Sequence, residues 1–247
     1  RMDLLYVFLA GLATALATGL GAIPVWMLGT RTEALRPALW GLTIGLMTVA
    51  SVLGLLKPAF QEGSAVAVVA GTAVGLAFLL VTRRWLSHHE ISVDGHDGAG
   101  VRRAVLVFGV LFVHSLPEGF AVGTAYASST AGLGLYVILA IALQNVPEGT
   151  SVAIPMEAEG FSRSRQFWAA VGTSLPQPVG AVVAYLLVEQ ITSLLPFSFA
   201  FAAGAMLALV AVELVPQAYR RGSIVPAVLG TVIGGAIMGA LAVTLGV

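Results

Sequence analysis

Long apolar runs and short polar breaks alternate along this chain. Eight runs reach the roughly 20 residues that a helix needs to cross a bilayer: about 4–28, 37–56, 64–82, 104–127, 132–156, 166–188, 195–218 and 223–246. They predict an all-α polytopic membrane protein of eight transmembrane helices. Little chain is left between them, so residues 1–247 read as a single transmembrane domain, with its longest break at loop 83–103. The first run has no basic stretch before it and no convincing cleavage site, so it reads as a retained span and not as a signal peptide. Two runs are themselves interrupted by charge. Residues 114–119 read HSLPEG and residues 144–149 read QNVPEG.

Composition agrees with the pattern. Hydrophobic residues make up 58% of the chain and charged residues 10%, where a soluble domain carries about 25% charge. Net charge is zero, so bulk charge says nothing about partners; the apolar runs make the lipid bilayer one, and no nucleic acid is expected. The distribution of the 12 basic residues is more informative. Arg31, Arg36, Arg83, Arg84, Arg102, Arg103, Arg163, Arg165, Arg220 and Arg221 fall in the breaks after runs 1, 3, 5 and 7, while the other side holds only Arg1 and Lys57. Basic residues collect on the cytoplasmic side, so both termini are expected outside. Trp26, Trp40, Trp85 and Trp168 fall near the cytoplasmic ends of their runs, as interfacial anchors do. The many glycines inside runs, among them Gly41, Gly45, Gly71 and Gly75, suit close helix packing in lipid. The absence of cysteine removes disulfides and thiolate metal sites.

The acidic residues inside runs carry the functional reading. A charge at the bilayer centre costs about 2.5–3.5 kcal/mol on the insertion scale, so Glu118 and Glu148 together weigh roughly 5–7 kcal/mol against insertion. At 1.5 Å per residue, His114 lies about 15 Å into its span, and Gln144 and Glu148 reach a similar depth from the other side of a core about 30 Å thick. Positions i and i+4 share a helix face, so His114 points with Glu118 and Gln144 points with Glu148. One imidazole nitrogen, two carboxylates and an amide oxygen suit a borderline divalent metal such as zinc, with cadmium, iron, cobalt or manganese also compatible. Pro117 and Pro147 remove helix N–H donors beside these residues. The motifs run in opposite membrane directions, as inverted repeats do in transporters with midplane sites.

On HSLPEGFAVG in span 4, ALQNVPEGTSVA in span 5, TSLPQPVGA in span 6 and AGAMLALVAVELVP in span 7, the chain resembles the ZIP (Zrt/Irt-like) family of divalent metal transporters, close to its bacterial members. The resemblance covers nearly the whole chain. It implies a transporter of the bacterial inner membrane that moves divalent metal, zinc foremost, toward the cytoplasm and has no enzymatic activity. It also implies an elevator-like motion in which spans 1, 4, 5 and 6 carry the site against spans 2, 3, 7 and 8. His114, Glu118, Gln144 and Glu148 match the family's first metal position. The second normally adds an Asn, an Asp and a Glu, and here those positions hold Ser115, Asn145 and Gln177. Two carboxylates balance one divalent ion, so a single-ion site is expected, with Asn145 and Gln177 beside it as neutral neighbours or weak ligands. Met47 and Met206 match methionines near the transport path, Glu213 stands near the cytoplasmic end of span 7, and His88, His89 and His96 form a candidate relay in loop 83–103. The oligomeric state stays open, a homodimer among the options.

Competing classes remain at this point. A metal sensor or non-transporting membrane subunit would bind the ion without flux. An intramembrane metalloenzyme would need a water position and a base, and the sequence has neither H-E-x-x-H nor a second histidine inside a span.

Overall fold

The computed structural model describes residues 2–88, 99–219 and 224–247. Seven helical passages are long and apolar enough to cross a membrane: Asp3–Leu28, Thr32–Glu62, Ala65–Trp85, Leu133–Ala158, Arg163–Gln190, Thr192–Ala218 and Ile224–Leu245. The helices within them are α1 (Met2–Leu20), α2 (Ala22–Leu28), α3 (Thr32–Val49), α4 (Lys57–Glu62), α5 (Ala65–His88), α7 (Leu133–Ala158), α8 (Arg163–Thr173), α9 (Pro176–Gln190), α10 (Leu195–Leu209), α11 (Val215–Ala218) and α12 (Ile224–Leu245). Helix α6 (Ala99–Ala127) adds 29 residues, about 43 Å at the standard rise. The chain is therefore an integral, all-helical membrane protein.

The eight runs reappear with shifted ends. Residues 83–88 and 99–103, expected in loop 83–103, are helical, because α5 continues to His88 and α6 begins at Ala99. The flanking arginines are good helix formers and extend both helices beyond their apolar runs.

Irregular backbone occurs in spans 1, 2, 6 and 7. Span 1 breaks at Gly21, between α1 and α2, and span 6 breaks at Ser174 and Leu175, before Pro176 opens α9. A Thr18–Ser174 hydroxyl hydrogen bond of 2.6 Å joins the two breaks. Spans 2 and 7 widen into π-helical segments, Ala50–Leu56 and Val210–Leu214. Pro58 and Pro216 follow them, and neither ring has an N–H to offer the carbonyl four residues back. A wider turn is one way of accommodating that loss. In contrast, α6 and α7 stay helical through Pro117 and Pro147. Breaks in 1 and 6, wide turns in 2 and 7, unbroken helices in 3 and 8, and Pro-Glu-Gly in 4 and 5 make the correspondence an inverted repeat produces.

Packing divides the helices into two groups. In one, α6 lies along α9, and α1 lies along α7 and α9. In the other, α3 lies along α12, and α5 along α10. Glycines set these approaches: a Cβ on Gly41 or Gly45 would overlap the Ala227 or Thr231 carbonyl, and one on Gly71 or Gly75 would overlap the Phe197 or Phe201 carbonyl.

The groups meet where α6 lies along α10 and α3 along α7, and a Cβ on Gly132 would overlap the Leu245 carbonyl across them. Tyr136, Leu133, Phe199, Met206, Met47 and Leu46 belong to one apolar core shared by both groups. Thr124 and Ser198 share a 2.5 Å hydroxyl bond from α6 to α10, and Phe120 meets Phe201 edge-on with centroids 5.5 Å apart. Ser128 and Thr130, in the α6–α7 turn, each donate to Glu62 Oε1 at 3.1 Å. Of the four tryptophans, Trp85 and Trp168 are exposed, Trp26 donates to Gln166 Oε1 at 3.0 Å, and Trp40 is buried in the core. The expectation of an interfacial anchor therefore fails for Trp40, whose helix face packs inward.

Candidate metal centre

Each Pro-Glu-Gly supplies two functions from adjacent positions. The glutamate points inward, and the following glycine lets a neighbouring helix approach. A Cβ on Gly119 would overlap the Gln177 carbonyl of α9, and one on Gly149 would overlap the Thr18 carbonyl of α1. These contacts draw α9 and α1 around the two glutamates. Ser115, Glu118 and His114 come from α6, Gln144, Asn145 and Glu148 from α7, and Gln177 from α9. All seven side chains are at most 2% exposed.

His114, Glu118 and Glu148 each offer a ligand atom within 4.8 Å of the others. His114 Nε2 lies 3.3 Å from Glu118 Oε1, close enough for an ion pair but not aligned as a hydrogen bond. Gln144 Nε2 donates to the same Oε1, and Gln177 Nε2 donates to Oε2 at 2.7 Å. Asn145 Nδ2 donates to the Thr14 carbonyl at 2.7 Å and to Gln177 Oε1 at 3.1 Å. Both ring nitrogens of His114, Oε1 of Gln144, Oε1 of Glu148 and the Ser115 hydroxyl are buried without a hydrogen-bond partner. An unpartnered buried polar atom costs about 1–3 kcal/mol, and here several lie in one cluster. Such a cluster can accept a cation through nitrogen and oxygen donors.

The remaining candidates lie apart from this cluster. Met47 and Met206 are packed in the apolar core, at 0% and 1% exposure. Glu213, on the π-helical segment of span 7, pairs with Arg83 Nε at 3.0 Å and accepts from Gln217 Nε2 at 2.6 Å. His88 is the last residue of α5, and its side chain is outside the described residues, as are His89 and His96 altogether. Two participants were missed by sequence reasoning. The Thr14 carbonyl carries no side-chain signal, and the Thr18–Ser174 bond could have been sought only from the helix-breaking residues beside it, Gly21 and Pro176.

A membrane-embedded helix bundle enclosing a buried His and carboxylate cluster defines the class. The family model described as ZIP Zinc transporter matches residues 83–242. The chain is 34% identical to the zinc transporter ZIPB of Bordetella bronchiseptica over 264 aligned positions, covering 100% of this chain and 83% of that protein. It is 34% identical to the zinc transporter GufA of Myxococcus xanthus, covering 86% of this chain and 88% of that one. It is 36% identical to At3g08650 of Arabidopsis thaliana, a protein provisionally named a zinc transporter, over 88% of this chain but only 35% of that longer protein. This chain belongs to the ZIP zinc transporter family.

Proposed function

We propose that this chain carries a divalent metal ion, zinc foremost, across the bacterial inner membrane toward the cytoplasm, one ion at a time. The observation that carries this reading is the buried trio His114, Glu118 and Glu148, with ligand atoms within 4.8 Å of one another. His114 supplies nitrogen. Glu118 Oε1, Glu148 Oε1 and the unpartnered Gln144 Oε1 supply oxygen, making a four-donor set suited to zinc. The two carboxylates offset the charge of one divalent ion, which matters because an unbalanced charge away from water is heavily penalised. Cadmium and iron are the next candidates by donor type.

The proposed motion moves α1–α2, α6, α7 and α8–α9 as one body against α3–α4, α5 and α10–α12. The packing supports this division, since backbone approaches at glycine tie helices within each group. Basic residues at the breaks after spans 1, 3, 5 and 7 support a cytoplasmic position for those breaks and an outside position for both termini. No catalytic role is assigned to any residue.

Zinc uptake into proteoliposomes tests the function. Saturable, zinc-dependent flux is expected, competed by cadmium. Zinc binding without flux would overturn transport in favour of a sensor.

A further inference from the structure

Two amides in the site face each other. Asn145 Nδ2 donates to Gln177 Oε1 at 3.1 Å, and Gln177 Nε2 donates back to Asn145 Oδ1 at a longer 3.4 Å. The second hydrogen of each amide is also committed. Gln177 gives its own to Glu118 Oε2, and Asn145 gives its own to the Thr14 carbonyl, both at 2.7 Å. A side-chain amide has two N–H hydrogens, so every donor of the pair is used. Both residues are 0% exposed.

We propose that this reciprocal pair is a specificity-determining device that fixes the site at one ion and positions Glu118. This rests on the reading of His114, Glu118, Gln144 and Glu148 as the ion's ligands. Gln177 holds Glu118 Oε2 away, so Oε1 alone faces His114 and the ion. A second cation at Oε2 would have to displace the Gln177 N–H. It would then meet two amide oxygens, which carry no net charge and each already accept from the other amide's N–H. Among the described residues, Glu118 and Glu148 are the carboxylates in this cluster, and one divalent ion consumes their charge. The pair therefore excludes a second ion both by occupying its ligands and by leaving its charge unbalanced. Anchoring Asn145 on the Thr14 carbonyl makes α1 part of the device without a side chain from that helix.

Purified protein stripped with chelator and dialysed against zinc gives the test, by metal content per chain and zinc-edge X-ray absorption. Wild type should hold one zinc and show no second metal nearby. Asn145→Asp combined with Gln177→Glu should hold two, with metal–metal scattering at about 3.5–4 Å. Gln177→Leu should keep one zinc, bind it about 10–100-fold more weakly, and show an added oxygen neighbour as Glu118 binds through both oxygens. A general structural role would alter neither the count nor the neighbour shell. Two zincs in wild type, or one in the double variant, would overturn the proposal while leaving metal transport standing. If the double variant does not fold, the wild-type count and the Gln177→Leu shell decide, and an unchanged shell and affinity in Gln177→Leu would overturn the positioning role. No zinc in wild type would overturn the metal-site reading itself.

Discussion

At the scale of the residue, a buried carboxylate persists only where something takes up its charge. Glu118 is surrounded by donors: Gln144 on one oxygen and Gln177 on the other, with His114 Nε2 at 3.3 Å. Glu148 Oε1 has no hydrogen-bond partner. Glu148→Ala or Glu118→Ala should abolish saturable zinc flux, since each removes one of the two charges that balance the ion. His114→Ala should lower affinity and shift preference away from zinc toward oxygen-seeking ions, because it deletes the nitrogen donor. Wild-type uptake by a correctly inserted His114→Ala, Glu118→Ala double variant would refute the assignment. This buried cluster was legible in the sequence because a charge in an apolar run is conspicuous and i, i+4 spacing fixes its face. The partners of Asn145 and Gln177 were not. Whether an amide turns its oxygen toward an ion or toward another amide depends on tertiary approach, and the Thr14 carbonyl looks like any other in the chain.

At the scale of the element, glycine placement explains how α9 and α1 come close enough for Gln177 and Thr14 to take part. Gly149→Ala would force a Cβ into the Thr18 carbonyl, and overpacking of this kind costs about 1–3 kcal/mol. Gly239→Ala meets nothing within 4 Å and should leave stability unchanged or slightly improved through helix propensity. Thermal unfolding in detergent should therefore show a lower midpoint for the first variant only. Equal midpoints would show that the α1–α7 approach is more compliant than its geometry suggests. Element boundaries were only partly readable. Arg83 and Arg84 look like loop residues when counted by hydropathy, yet they continue α5. Pro117 and Pro147 looked like the places for irregular backbone, yet α6 and α7 remain helical there. The irregular backbone instead falls at Gly21, at Ser174 and Leu175, and before Pro58 and Pro216, where spans 2 and 7 widen.

At the scale of the whole molecule, the proposed motion requires the two groups to part along the face where α6 meets α10. Thr124 and Ser198 mark that face, their hydroxyl oxygens 2.5 Å apart. The chain has no native cysteine, so Thr124→Cys with Ser198→Cys introduces a single thiol pair close to disulfide spacing. Oxidation should stop zinc uptake and reduction should restore it. Undiminished uptake by fully oxidised protein would show that this face does not move. The spans could be read from hydropathy, and the one-sided run of basic residues from the sequence itself. The division into groups followed only from the family resemblance and not from hydropathy, because each group joins helices distant in the chain.

That interleaving has a consequence for how the protein is made. Helix α3 leaves the ribosome well before α12, but its glycine face at Gly41 and Gly45 is shaped for Ala227 and Thr231 of that later helix. At about 5–20 residues per second, translation separates the two by on the order of ten seconds or more. Helix α1 likewise emerges before α7 and α9, against which it closes. The nascent chain must therefore hold α1 and α3 in the bilayer with unmatched grooves until later helices arrive. Truncation before Ile224 would leave α3 permanently without its partner, and such a chain should be cleared by membrane quality control even though every residue of the metal cluster has been made.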